Sequence, residues 1–349
     1  MKKIIFRADG NAEIGAGHVM RCLSIGAAAR NAGMECVYIV ADSSFESIIQ
    51  SKGFSCRVLD TLYSDMDSEL PVFEETLSQY KPDIIIVDSY YVTANYLKEL
   101  RRFGKTIYID DVLAFAYPVD ILINYNIYAD RTEYESLYSD NNICIPELLL
   151  GTKYIPLRDE FQLSTVPVQK GNVENILISA GGADPEGMAL KLAKCFIEDH
   201  ELAGKYKFHF IISSFEPDRK ELKKIAVQYP WIKLHENVQH MSGLMLESDL
   251  AVSAAGSTLY ELAACGVPVI TYVLADNQLP GALGFEKAGI MVNAGDCRIK
   301  TDFFQALCQE IKLLCADKIK RKNMRINGRN TVDGRGAEQM IKDIMRNEV

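Results

Sequence analysis

Gly15-Ala16-Gly17-His18-Val19-Met20-Arg21 sets an imidazole in a glycine loop that runs directly into a stretch of helical periodicity. Glycines let a backbone approach a ligand closely, and a helix N-terminus presents free amides to an anion. The positive end of the helix disfavours imidazolium, which leaves a neutral ring able to take up a proton. The combination suits a general base beside a bound phosphate or sugar. The plainer reading is a loop histidine bonded to a backbone carbonyl. Of the five histidines, however, only His18 has this setting; His200, His209, His235 and His240 read as structural or surface residues.

Four further segments place polar residues where an apolar run gives way to a helix. Ile178-Ser179-Ala180-Gly181-Gly182-Ala183-Asp184-Pro185 reads either as a tight turn with Asp184 as helix cap or as a ligand contact. Val252-Ser253-Ala254-Ala255-Gly256-Ser257-Thr258-Leu259-Tyr260-Glu261 offers a glycine and two hydroxyls at a helix start, the arrangement a diphosphate needs. Within it Thr258-x-x-Glu261 matches a capping box, and on the residues alone the cap is favoured over a ribose contact by Glu261. Asp276-Asn277-Gln278 reads as a helix cap, and Val87-Asp88-Ser89-Tyr90-Tyr91 as an active-site rim or a loop.

These turns belong to an alternating chain. Short apolar runs at Ile4–Arg7, Val37–Val40, Cys56–Leu59, Ile84–Val87, Thr106–Ile109 and Ile121–Asn124 are separated mostly by amphipathic helical stretches. Such runs indicate strands of a parallel sheet covered on both faces. The stripe Val19, Leu23, Ala27 and Ala28, followed by Gly33, marks the first helix. The alternation pauses between Leu163 and Asn172, then restarts with Ile176–Ser179, Phe208–Ile212, Ile232–Leu234, Leu250–Ser253 and Val269–Tyr272. The expectation is α/β with two Rossmann-like domains, 1–162 and 172–349, the last helix able to pack back on the first domain. Ligand is expected in the cleft between them, at the carboxyl ends of the strands. The basic stretch Lys318 to Arg329 reads as a solvated helix face.

At 349 residues, two domains are the default. The net charge of -9 argues against nonspecific nucleic-acid binding, so phosphate must be met locally by amides and a few side chains. There is no run of 18 apolar residues, and Met1-Lys2-Lys3 leads into a strand pattern, so a cytoplasmic protein without stable membrane insertion is expected. The nine cysteines contain no C-x-x-C pair and match neither a zinc site nor a disulfide framework. Cys22, Cys36, Cys195, Cys265 and Cys308 sit in apolar segments and read as small core residues.

Phe6-Arg7-Ala8-Asp9 with Gly15-x-Gly17-His18-x-x-Arg21, Asp88-Ser89-Tyr90, Asn124-x-Asn126, Tyr154-x-Pro156-Leu157-Arg158, Gly181-Gly182-Ala183-Asp184, Gly256-Ser257-Thr258-x-x-Glu261 and Asp276-Asn277-Gln278 follow one another in an order that resembles the nucleotide-sugar hydrolases of pseudaminic acid biosynthesis. That family cleaves UDP-2,4-diacetamido-2,4,6-trideoxy-β-L-altropyranose and is similar in turn to GT-B glycosyltransferases of the MurG kind. The resemblance implies a GT-B-like fold with UDP held mainly by the C-terminal domain. It implies that His18 is the general base that activates water at the anomeric carbon, with inversion and release of UDP. It places Arg7, Asp9, Gly15, Gly17, Arg21, Asp88, Tyr90 or Tyr91, Asn277 and Gln278 around the sugar. Gly181, Gly182, Asp184, Gly256, Ser257, Thr258 and Glu261 then fall to UDP. No cofactor or metal ion is expected, helix-end amides serving the departing diphosphate. Two other functions share these residues: a glycosyltransferase with an acceptor in place of water, and a nucleotide-sugar binding protein of surface-polysaccharide assembly without turnover.

Overall fold

A computed structural model describes residues 1–11, 13–163, 165, 171–181, 184, 186–213 and 217–346. The chain divides into two compact units, one of Met1–Arg158 with Arg335–Val349 and one of Asp159–Gly334. Among the described residues no helix is long and apolar enough to cross a membrane.

The first unit is built on seven strands: β1 (Lys3–Ala8), β2 (Glu35–Val40), β3 (Ser55–Val58), β4 (Ile84–Asp88), β5 (Lys105–Ile109), β6 (Ile121–Asn124) and β7 (Glu147–Leu150). They lie in the order β3-β2-β1-β4-β5-β6-β7, and every pairing is parallel. Ile4, Ile5, Phe6 and Ile84 to Val87 are wholly buried, as expected of central strands with helices on both faces. The order reverses between β1 and β4, where a doubly wound sheet leaves a crevice at its carboxyl edge. Register pairs Ala8 with Asp88 at that edge. The helix Gly17–Asn31 starts there too.

The second unit repeats the plan with β8 (Asn175–Ser179), β9 (Lys207–Ile212), β10 (Ile232–Glu236), β11 (Leu250–Ala254), β12 (Val269–Val273) and β13 (Met291–Asp296), all parallel in the order β10-β9-β8-β11-β12-β13. Its reversal falls between β8 and β11, which brings the turns after Ser179 and Ala254 to one edge. Strands β7 and β13 are additions to the sequence reading.

The units part at Arg158/Asp159, earlier than the pause in the alternation. The reason lies in the short turn Asp159–Phe161, where Glu160 accepts the Ser242 amide at 3.0 Å and ties the connector to the second unit. The chain returns at Gly334 and Gly336. A Cβ at Gly334 would stand 2.1 Å from the Phe161 carbonyl oxygen, and one at Gly336 2.3 Å from that of Ile155, so the two crossing segments run too close for any side chain. Helix Gly336–Arg346 then packs its stripe of Ala337, Met340, Ile341 and Ile344 in the first unit, in contact with helix Gly17–Asn31. Tyr154 pins it by donating to Asp343 at 2.8 Å.

In the basic stretch Lys318, Lys320 and Lys322 are exposed, as on the solvated face expected, but Arg321 is buried. In helix Lys318–Thr331 the residues at spacings of three and four, Arg321, Met324 and Gly328, face inward, while Ile319 and Ile326 are exposed. The Arg321 guanidinium serves carbonyls left open at the end of helix Phe303–Ala316, donating to Leu314 at 2.8 Å and Cys315 at 2.6 Å, and it also donates to the Gly171 carbonyl at 2.9 Å.

Candidate active site

His18 is the second residue of the first helix and its ring is buried. Its Nδ1 lies 2.7 Å from Oδ1 of Asp88, the last residue of β4. Asp88 is fully buried and accepts from four side-chain donors: His18, Nε and Nη2 of Arg21, and the Cys22 thiol at 3.7 Å. Arg21 Nη2 also stands 2.9 Å from His18 Nδ1. That nitrogen cannot serve both neighbours as acceptor, because a lone pair turned toward the Asp88 carboxylate at 2.7 Å would be repelled. The hydrogen therefore belongs on Nδ1, with Arg21 bonding the carboxylate. Burial alone would raise the Asp88 carboxyl, but the charge of Arg21 and the imidazole of His18, with their hydrogen bonds, hold it well below the usual carboxylate range. Nε2 of His18 has no partner among the described residues.

Arg21 extends the cluster. Its Nη1 donates to Tyr125 Oη at 2.6 Å and lies 3.4 Å from Asp111. Burial pushes the Tyr125 phenol up to about 12, so it stays neutral. Tyr90, half exposed, donates to Asp111 at 3.1 Å and stands edge-on to the His18 ring at 4.6 Å. Tyr91 instead meets Tyr63 at 5.5 Å. Gly15 closes the loop, its amide donating to Asn11 at 2.9 Å with φ at 74°. Gly17 has neither a positive φ nor any atom that a Cβ would meet within 4 Å.

Arg7 and Asp9 have a different place from the one the resemblance implies. Arg7 is wholly buried, forks onto Glu69 at 2.7 and 2.8 Å, and donates to Asp9 at 2.6 Å. Asp9 also accepts the Ala41 amide at 2.7 Å, and Glu69 takes the Tyr96 phenol at 2.7 Å. Arg7, Asp9 and Glu69 are all buried, and the guanidinium is paired with both carboxylates. An arginine within an otherwise apolar strand requires a buried counter-ion, and that was the available signal for Glu69. Asp65-Met66-Asp67 has the D-x-D form, yet Asp65 accepts the Ser68 amide at a helix start and Asp67 accepts from Thr93 at 3.0 Å and Asn95 at 3.1 Å. Both carboxylates are structural.

In the second unit, Gly181 has φ at 99° and open space around it, while Gly182 lies outside the described residues. Asp184 is buried, and its two oxygens accept the amides of Met188 and Ala189, each at 2.8 Å. Its carboxylate thus serves two amides at the start of helix Met188–Glu198, the cap reading of this turn. The other turn behaves oppositely. Thr258 is the first residue of helix Thr258–Cys265 rather than its cap, and Ser257, which holds the cap position in helical conformation, makes no side-chain cap bond. Gly256 and Ser257 are exposed, and a Cβ on Gly256 would meet nothing within 4 Å. Glu261 lies in the first turn. Asn277 is exposed; Asp276 pairs with Arg298 at 2.5 Å rather than capping, and Gln278 accepts the Leu274 amide at 2.8 Å.

No family model matches the sequence. Among curated proteins, the chain is 26% identical over 289 residues to the uncharacterized protein MJ1062 of Methanocaldococcus jannaschii, covering 79% of this chain and 56% of that protein, so it spans little more than half of that relative. It is 24% identical to the spore coat polysaccharide biosynthesis protein SpsG of Bacillus subtilis, with 98% of each chain covered. It is 25% identical to the UDP-2,4-diacetamido-2,4,6-trideoxy-beta-L-altropyranose hydrolase of Campylobacter jejuni, over 83% of this chain and 98% of that protein. Among solved structures, MurG of Acinetobacter baumannii matches with a TM-score of 0.71 at 14% identity, covering 99% of this chain and all of that one (100%). The UDP co-structure of S. aureus MnaA matches with a TM-score of 0.66 at 14% identity, covering 99% and 96%. The chain is thus a GT-B-like protein of two parallel α/β units, similar in sequence to the UDP-2,4-diacetamido-2,4,6-trideoxy-β-L-altropyranose hydrolases.

Proposed function

We propose that the protein hydrolyses a UDP-linked 2,4-diacetamido-2,4,6-trideoxyhexose to UDP and free sugar, as a step of pseudaminic acid or related surface-sugar synthesis. The observation that carries this reading is the buried Asp88 carboxylate on Nδ1 of His18, which leaves Nε2 as the basic nitrogen. Nε2 takes a proton from water as the water oxygen bonds to the anomeric carbon. The bond from that carbon to the diphosphate oxygen breaks, and the configuration inverts. Charge growing on the diphosphate is met by the uncapped start of helix Thr258–Cys265, with the hydroxyls of Ser257 and Thr258 beside it. Glu261, Asn277 and Tyr90 are assigned to ribose and sugar. The hydrolase relative, matched over nearly its whole length, supports the substrate class.

The full-length similarity to the spore coat protein SpsG favours a second reading, in which a sugar hydroxyl replaces water and the same dyad deprotonates it. Incubation of the purified protein with the UDP-sugar alone separates the two. Release of UDP and free sugar supports hydrolysis; silence until an acceptor is added supports transfer. In ¹⁸O-water the label is expected on the sugar, and label on UDP refutes attack at carbon. Activity is expected to survive excess chelator.

A further inference from the structure

Two cysteines that the site does not use stand face to face. Cys195, on helix Met188–Glu198, and Cys308, on helix Phe303–Ala316, bring their sulfurs within 3.0 Å although 113 residues separate them. Both helices belong to the second unit. The two sulfurs differ in surroundings. Cys308 is 3% exposed and packed in the apolar core, whereas Cys195 is partly exposed and lies 3.7 Å from the Phe304 carbonyl. Contact with the Cys308 sulfur lowers the Cys195 thiol, against the opposing effects of burial, Asp199 and Glu198. The Cys308 thiol is raised by the same contact and by burial. Cys195 is the sulfur that an oxidant in solution can reach, and Cys308 is the buried one placed to follow it.

We propose that Cys195 and Cys308 are a redox modification site, closed to a disulfide by hydrogen peroxide and reopened by a small thiol. The Cys195 thiolate attacks one peroxide oxygen, forming a sulfur–oxygen bond as the oxygen–oxygen bond breaks. The departing hydroxide takes a proton and leaves as water. Cys195 is now a sulfenic acid, oxidised by two electrons, and the peroxide is reduced. The Cys308 sulfur then attacks the Cys195 sulfur, the sulfur–oxygen bond breaks, and the Cys308 proton leaves with that oxygen as a second water. Closing the bond from 3.0 Å requires the sulfurs to approach by about 1 Å, since a disulfide is about 2.0 Å long. The product staples the helix capped by Asp184, behind the β8 turn, to a helix far along the chain. A link closing so long a loop restricts the unfolded chain strongly.

The test uses the full chain carrying Cys144→Ser, which removes the exposed thiol. After reduction, the protein is treated with a small excess of hydrogen peroxide, alkylated, and digested without reductant. The expected result is a linked peptide pair containing Cys195 and Cys308, two hydrogens lighter than the reduced pair. Dithiothreitol should reverse it, and the oxidised protein should melt several degrees higher. Cys308→Ser should instead retain a Cys195 sulfenic acid that dimedone captures. Alkylation of both cysteines after peroxide treatment overturns the proposal, as does dimedone labelling of other cysteines with Cys195 untouched.

Discussion

Replacing Asp88 by Asn keeps the shape of the side chain and removes its charge, which tests the dyad directly. Asp88 is fully buried with His18 Nδ1 at 2.7 Å and Arg21 forked across it, so the amide must set an N–H against donors where a carboxylate oxygen had accepted. Uncoupling a buried ion pair costs about 3–5 kcal/mol. Arg21 keeps Tyr125 at 2.6 Å and Asp111 at 3.4 Å, which places the loss toward the low end. A loss of about 3 kcal/mol corresponds to a fall in Tm of roughly 6–12 °C for a unit of this size. The catalytic effect is separate. An amide N–H facing Nδ1 favours the opposite tautomer, in which Nε2 carries the hydrogen and cannot act as base. The expected fall in kcat is roughly 10²- to 10⁴-fold, the usual contribution of a positioned base. The assay is UDP release measured well below the melting transition, beside UDP affinity by calorimetry, which should be unchanged. His18→Asn sets the ceiling, and the double variant should be no slower than His18→Asn alone, because the two residues act as one unit. A folded Asp88→Asn protein that keeps kcat within about threefold of wild type, well short of that contribution, would refute the dyad. A double variant in which the two losses simply multiply would refute the coupling.

Three further outcomes follow from the geometry. Gly256→Ala has room for its methyl and no positive φ to strain, so stability should hold while UDP binding weakens roughly tenfold, the equivalent of about 1.5 kcal/mol for one charge-assisted hydrogen bond; calorimetry showing unchanged affinity would place the diphosphate elsewhere. Arg7→Met strands Glu69 and Asp9 without their cation and should cost about 3–5 kcal/mol in urea unfolding, with part regained in Arg7→Met/Glu69→Gln; a loss below about 1 kcal/mol contradicts the buried pairing. His209, in β9, is pulled down to about 4 by burial and by its neighbours His235, Lys207 and Lys233. An unfolded histidine titrates near 6.5, so between about 6.5 and 4 the unfolded chain binds the extra proton, and the stabilisation present above that window fades as pH falls. Tm should drop more steeply with acid in wild type than in His209→Gln, and parallel curves would exclude this source.

Local chemistry makes part of this fold legible in the sequence. Continuous apolar runs such as Ile84 to Val87 have no alternative to a central strand, and the glycine loop singles out His18. Strand β13 escaped because Asn293, Gly295 and Asp296 interrupt its pattern, and β7 because Leu148, Leu149 and Leu150 form so short an apolar run at the sheet edge. The partnership of His18 with Asp88 spans 70 residues and depends on the register of β1 against β4, which no local spacing encodes. Arg7, Asp184 and Arg321 share one feature that local sequence does not display. Each is polar in a place that suggests a ligand or solvent, and each is consumed by a buried counter-ion, helix amides or helix carbonyls.

The first unit consists of two stretches of chain with the whole second unit between them. During synthesis, helix Gly336–Arg346 leaves the ribosome only after Asp159–Gly334 has emerged. The second unit can therefore reach its final form while the first still lacks the element that packs on the helix bearing His18 and Arg21. The order of completion is the reverse of the order of the sequence: all the chain of the second unit is available first, and the helix bearing His18 receives its backing only when the chain has come round again.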